Sequence, residues 1–99
     1  MTDATAEAGI GAVRRTLTIA NKRGLHARAA AKFVRTAGQY EAVVRVAFKG
    51  QDVSGLSIMG LMMLAAGIGS SITVEASGPM AESCMAALEK LVADKFDEE

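Results

Sequence analysis

Residues 14–39 read RRTLTIANKRGLHARAAAKFVRTAGQ, and the reading of this stretch decides the fold. Its first part is extended: Leu17 and Ile19 share one face, while Arg14, Thr16 and Thr18 share the other. Arg15 falls on the apolar side, so the alternation is clear only in the second half. The β-branched Thr16, Thr18 and Ile19 favour a strand, expected over Arg14–Ala20. Asn21–Gly24 reads as a turn. A helix is then expected from about Ala27 to Gln39, because Ala30, Phe33, Val34 and Ala37 recur at i, i+3, i+4 and i+7. Arg28, Lys32, Arg35 and Gln39 line its other side, and Gly38 lies near the expected C-terminal cap. The period thus changes from strand to helix around Gly24–Leu25–His26, which puts the chain's single histidine at a helix start.

Working outward, Ala42–Phe48 (AVVRVAF) reads as a strand, Lys49–Gly50 as a tight turn and Gln51–Ser54 as the returning strand of a hairpin. Ser57–Ala66 (SIMGLMMLAA) is a short helix with Ser57 as its N-cap, broken by Gly67–Ile68–Gly69. Ser70–Ala76 is a further strand with Ile72, Val74 and Ala76 on one face. The last helix begins around Pro79, a favoured first-turn residue. Its stripe runs through Ala81, Cys84, Met85, Leu88, Leu91, Val92 and Phe96. The order is β-α-β-β-α-β-α, without an internal repeat. One sheet with helices on one face buries all these stripes together, an α+β class.

Ninety-nine residues, 51% of them hydrophobic, suffice for one domain with its own core. The formal net charge of zero argues against general nucleic-acid binding. The charges are nonetheless segregated. Seven Lys or Arg residues and no acid lie between Ile10 and Tyr40, whereas residues 75–99 hold seven acids against two lysines. The lone Cys84 permits no internal disulfide, which fits a reducing compartment, and its place on the last apolar stripe reads as core. Met1–Gly11 carries two acids and no base, the wrong sign for a secretory signal, and no apolar run is long enough to span a bilayer. A soluble cytoplasmic protein is expected, with no membrane insertion. Residues 1–13 are expected to be a flexible tail, 14–96 the domain, and 97–99 (Asp97–Glu98–Glu99) a solvated acidic tail.

The chemistry centres on His26. A histidine at a helix N-terminus is exposed to the positive end of the helix, which disfavours imidazolium and keeps the ring nucleophilic. Free N–H groups of the first turn can receive phosphate oxygens, and Arg28 adds a guanidinium of bidentate geometry. Taken alone, a single histidine in a small domain is more often a surface residue or a cap. One histidine and one distant cysteine make no metal set, and neither a local Ser/His/Asp arrangement nor a Walker glycine pattern is present.

The run GLHARAAAKFV, followed some thirty residues later by LSIMGLMMLAA in the β-α-β-β-α-β-α order, resembles the histidine-containing phosphocarrier (HPr) family of the bacterial phosphotransferase system. The resemblance covers about residues 14–95, and the NK-x-GLHAR form is similar to the family's nitrogen-related branch. It implies an open-faced β-sandwich, a four-stranded antiparallel sheet with three helices on one face. It also implies a covalent carrier, not a turnover enzyme. His26 would take a phosphoryl group on Nδ1 from enzyme I and pass it to an enzyme IIA domain, with Arg28 stabilising the phosphate. Ser57 matches a serine that a dedicated kinase modifies in some lineages, which leaves an alternative role as a regulatory docking module switched at Ser57. Ala29 departs from the family's usual proline and bears on the rigidity of the helix start. No cofactor or metal is implied, and a monomer is expected.

The helix at 57–66 is too apolar all round to be buried on every side. Ile58, Met59 and Met62 are expected to stay exposed near His26 as a docking patch, with Lys22, Arg23, Lys32 and Arg35 as a basic rim that steers acidic partners. Sugar uptake and nitrogen or carbon regulation both remain open as the downstream role.

Overall fold

The computed structural model of the chain describes residues 12–98. Four strands, β1 (Val13–Thr18), β2 (Val43–Phe48), β3 (Gln51–Ser54) and β4 (Ser71–Ser77), form one antiparallel sheet in the order β1-β4-β2-β3. Three helices, α1 (Ala27–Ala37), α2 (Ile58–Met63) and α3 (Ala81–Ala93), cover one face and leave the other open. The side-chain period of two shows in β1, β2 and β4. Val13 and Leu17, Val44 and Val46, and Ile72, Val74 and Ala76 point into the core. Arg14, Thr16, Arg45 and Glu75 face solvent. On that open face Glu75 stands in register between Arg14 and Arg45, an arrangement of opposite charges that favours this register.

Arg15 is the exception in β1. It points to the helical side, yet its side chain is 47% exposed and its Nε lies 3.5 Å from Glu89 Oε2 on α3. β1 is an edge strand, so a long side chain there reaches past the core to water. The β2–β3 hairpin turns through Lys49 (φ +48) and Gly50 (φ +81), the pair of positive dihedrals a tight hairpin turn requires. Arg45 and Asp52 close across its strands, with Arg45 Nε 3.0 Å from Asp52 Oδ1.

The expected elements appear with shifted ends. β1 starts at Val13, which is buried, one residue before the strand expected from Arg14. Residues 1–11, most of the expected tail, lie outside the described residues. Helix α1 stops at Ala37 and is capped by Gly38. Helix α3 starts at Ala81 and stops at Ala93, so Phe96 does not extend its stripe. Phe96 is nevertheless fully buried, because Lys95, Phe96 and Asp97 turn left-handed (φ +58, +56 and +61) and carry the ring back into the core. Cys84 is fully buried, and burial pushes its thiol pKa up, which holds it protonated and unreactive.

The loop before α1 meets the loop after α2 at Gly24. Leu25 N donates to Ala66 O at 3.0 Å, and a Cβ on Gly24 would lie 2.4 Å from that same oxygen. Gly24 also has φ +65, the left-handed region that side chains resist. Gly69 is left-handed as well (φ +88) but has open space where a Cβ would stand. Gly24→Ala is therefore expected to destabilise by about 3 kcal/mol, from dihedral strain plus collision, and Gly69→Ala by about 1 kcal/mol from strain alone. Urea unfolding of both variants measures the difference; equal losses would refute the close approach.

Candidate functional site

His26 is the N-cap of α1. Its backbone is extended (φ −75, ψ −180) and its carbonyl accepts the first helical hydrogen bond, from Ala30 N at 2.8 Å. The N–H groups of Ala27, Arg28 and Ala29 precede that first bond and have no acceptor within the helix. The imidazole does not cap them; it leans outward and keeps 22% of its side-chain surface exposed. Ala29, in the place of the family's usual proline, is fully buried beneath the first turn.

The sequence offers no acid beside this histidine, but the fold supplies one. Glu98 places Oε2 2.5 Å from His26 Nε2, and Asn21 Nδ2 donates to the other oxygen, Oε1, at 3.1 Å. Asn21 is 1% exposed, and the same Nδ2 donates to Gly24 O at 2.9 Å. Lys32 Nζ donates to Phe96 O at 2.7 Å, pinning the backbone two residues before Glu98. The expectation of a solvated tail at 97–99 is thus corrected for Glu98, which packs on the histidine; Asp97 is exposed, and Glu99 lies outside the described residues. The hydrogen bond from His26, followed by that from Asn21, holds the Glu98 carboxyl below its usual 4.5 against an opposing push from desolvation.

Beside Glu98 opens a cleft of about 560 Å³ walled by Lys22, Arg23, Arg28, Lys32 and Lys95, with Asp97 and Glu98 as its acids. Five cations against two carboxylates suit an anion. His26 is not in its wall; Glu98 is the side chain that touches both. The fold therefore gathers Arg28, Lys22, Arg23 and Lys32 in one cleft and adds Lys95, which the sequence reading left out. No hydrogen bond joins Arg28 to His26 among the described residues. Lys32 is partly committed to the Phe96 carbonyl, so it is less a free rim charge than a tether. Arg35 is exposed on α1 and does not line the cleft.

Ser57 caps α2, its Oγ accepting from Gly60 N at 2.8 Å. Leu61 is the buried residue of α2, and Leu64 just beyond its end is buried too. Ile58, Met59 and Met62 are exposed, and Leu56, Met63 and Ile68, which the sequence reading left out, are exposed with them. The signal for these three was available: Leu56 precedes the short helix, Met63 ends it, and Ile68 lies between the glycines that follow. Among the described residues there is no group of three or more side chains fit to hold a metal, and no helix is long and apolar enough to cross a membrane.

A small open-faced α+β domain that presents a histidine at a helix N-terminus beside a basic cleft is the architecture of a phosphoryl carrier. A family model described as the "PTS HPr component phosphorylation site" matches residues 13–94. Among curated relatives, a phosphocarrier protein HPr of Cupriavidus necator is 49% identical over 86 residues, covering 87% of this chain and 97% of its own. A phosphocarrier protein NPr of Shewanella violacea is 40% identical over 86 residues, covering 87% and 94%. The crystal structure of an HPr from Thermoanaerobacter tengcongensis superposes with a TM-score of 0.84 at 39% identity, covering 88% of this chain and 98% of that one. The chain belongs to the HPr family of phosphocarrier proteins of the phosphotransferase system.

Two outcomes are expected here. Ser57→Ala loses the cap of α2 and about 1 kcal/mol of stability, read by chemical denaturation. Glu98, whose pKa is lowered in the folded state, stabilises the fold fully above 4.5, and that contribution is lost as pH falls through the lowered value. Carbon-13 NMR titration should therefore find Glu98 below 4.5, and His26→Ala should move it upward. A carboxyl that titrates identically in both proteins would remove His26 as the cause.

Proposed function

We propose that this phosphocarrier accepts a phosphoryl group on Nδ1 of His26 from phosphoenolpyruvate-charged enzyme I and passes it to an enzyme IIA domain, as a covalent relay without turnover of a small substrate. The observation that carries the reading is the placement of His26. The ring is part-exposed at the N-cap, with uncommitted first-turn N–H groups behind it and a five-cation cleft alongside. Phosphoryl transfer asks chiefly for positioning and charge compensation, and the start of α1 and the basic cleft offer groups suited to both. Arg28 stabilises the phosphate from the cleft. Ile58, Met59 and Met62 form the apolar centre of the partner surface, and Lys22, Arg23 and Lys32 its basic edge. The protein works in the cytoplasm as a monomer, and transfer assays with one IIA domain from each branch separate sugar uptake from nitrogen regulation.

A second role is carried by Ser57, which is half-buried at the start of α2 next to the exposed Ile58 and Met59. A phosphate there adds negative charge at the edge of the apolar surface and weakens docking of acidic partners. Labelling by an ATP-dependent serine kinase, with loss of enzyme I affinity, tests it.

Incubation with phosphoenolpyruvate and enzyme I is expected to add one acid-labile phosphate per chain. His26→Ala should accept none, and Arg28→Ala should slow transfer on the order of tenfold or more, the loss of a charge-assisted contact. Phosphate uptake by the His26→Ala protein equal to that of the parent would defeat the proposal.

A further inference from the structure

The contact between His26 and Glu98 fixes more than the place of the ring. A carboxylate accepts hydrogen bonds and has none to give. The hydrogen between Glu98 Oε2 and Nε2, 2.5 Å apart, therefore belongs to Nε2. A neutral imidazole carries one ring hydrogen, so Nδ1 keeps its lone pair. Nδ1 has no hydrogen-bond partner among the described residues. Of their buried side-chain nitrogens and oxygens, only Asn21 Oδ1 lacks a partner. Among the described residues nothing occupies Nδ1, and the ring keeps 22% of its side-chain surface exposed.

The carboxylate is itself held. Asn21, almost fully buried, donates to Glu98 Oε1. Phe96 plugs into the core with 0% exposure, and Lys32 Nζ holds its carbonyl at 2.7 Å. Three consecutive non-glycine residues, Lys95 to Asp97, adopt the left-handed conformation to bring Glu98 round. Such a turn is unfavourable at every residue, and it persists where packing and hydrogen bonds overdetermine it. Here they do so at Phe96, at its carbonyl and at both oxygens of Glu98.

From this arrangement we infer that Glu98 is a positioning residue for phosphoryl transfer. Its carboxylate selects the Nε2–H tautomer of His26, presents Nδ1 as the nucleophile, and balances the ring's positive charge once Nδ1 is phosphorylated. The inference rests on the phosphocarrier reading above. In the step itself, the Nδ1 lone pair forms the N–P bond while the bond from phosphorus to the donor's carrier atom breaks, and that bond's electron pair returns to the donor atom. The Nε2 hydrogen stays on His26 throughout. The product ring, with phosphoryl on Nδ1 and hydrogen on Nε2, is cationic, and Glu98 is the anion beside it. Delivery to the acceptor reverses each change. A carboxylate plays a comparable orienting part for the histidine of a Ser-His-Asp triad; here the oriented ring is itself the nucleophile.

The test uses the full chain labelled with nitrogen-15 in its histidine. Ring nitrogen shifts report the tautomer, and single-turnover transfer from charged enzyme I reports the rate. In the parent protein the neutral ring should be held as Nε2–H. Glu98→Ala should raise the Nδ1–H fraction and slow transfer on the order of tenfold, the scale of one charge-assisted hydrogen bond, without changing the KM for enzyme I. Glu98→Gln, whose carbonyl still accepts from Nε2, should restore the tautomer and part of the rate. Unchanged ring shifts, an unchanged rate or a faster rate in Glu98→Ala would each overturn the inference, the last by showing that the carboxylate occludes the ring. Failure of the parent chain to take up phosphate would instead sink the phosphocarrier reading, and the ring shifts would still judge the tautomer.

Discussion

The close passage of Gly24 beneath Ala66 is the constraint on which the rest of this structure depends. Only a residue without a side chain lets the two loops approach this closely, and Leu25 N closes the contact on Ala66 O at 3.0 Å. Next to it, Ile19 N donates to Ser70 O and Gly69 N to Ile19 O, both at 2.8 Å. The end of β1, the start of α1 and the exit of α2 are thereby tied at one end of the sheet. Leu25 is buried there, and the following residue, His26, is turned outward as α1 begins. The position of the His26 ring at the start of α1 is thus set by backbone contacts.

The core beneath explains why so little charge is needed to hold the domain. Phe33 of α1, Leu61 of α2, Met85 and Leu88 of α3, and Val46, Ile72 and Val74 of the sheet are all essentially inaccessible. Each contributes roughly 1.5–3 kcal/mol on burial, which leaves the surface ion pairs, such as Lys90 with Asp94, a minor part. The basic residues around His26 are therefore free to be arranged for an anion instead of for stability. Lys32 is the exception, since its ammonium serves the Phe96 carbonyl.

Most of this was legible in the chain because it is local or periodic. The alternation of Ile72, Val74 and Ala76, the i, i+3, i+4, i+7 stripe of α1, and the Lys49–Gly50 turn each specify their own geometry within a few residues. Ser57 was readable as a cap, and Met59 and Met62 as exposed, because a short helix on a sheet has only one inner side. What escaped was the path of the chain after Ala93, although Phe96 is buried and Asp97 exposed as expected. Phe96 continues the helical spacing of α3 and so reads as helix, although it reaches the core through a left-handed turn that its neighbours Lys95 and Asp97 do not advertise. Glu98 reads as one of three terminal acids, and its partner lies 72 positions away. No local pattern encodes such a pair; it follows from where Phe96 anchors. Arg35, expected in the basic rim, is exposed on α1 but does not line the cleft.

A carrier must bind its phosphate firmly enough to accept it and loosely enough to release it, and the charges here are graded to that end. Lys22, Arg23, Arg28 and Lys95 line the cleft as cations that draw an anion in, while Asp97 and Glu98 stand among them. Without those acids the cleft would hold a phosphoryl group between several cations and helix N–H groups, and each added contact would deepen the trap. In the relay proposed above, Glu98 would limit this by contributing negative charge on the Nε2 side of the ring, opposite the nitrogen where phosphorus would bond. There it would stabilise the cationic phosphorylated ring. In the proposed relay this carboxylate would favour attack at Nδ1 by balancing the positive charge that develops on the ring, and delivery to the acceptor reverses that change.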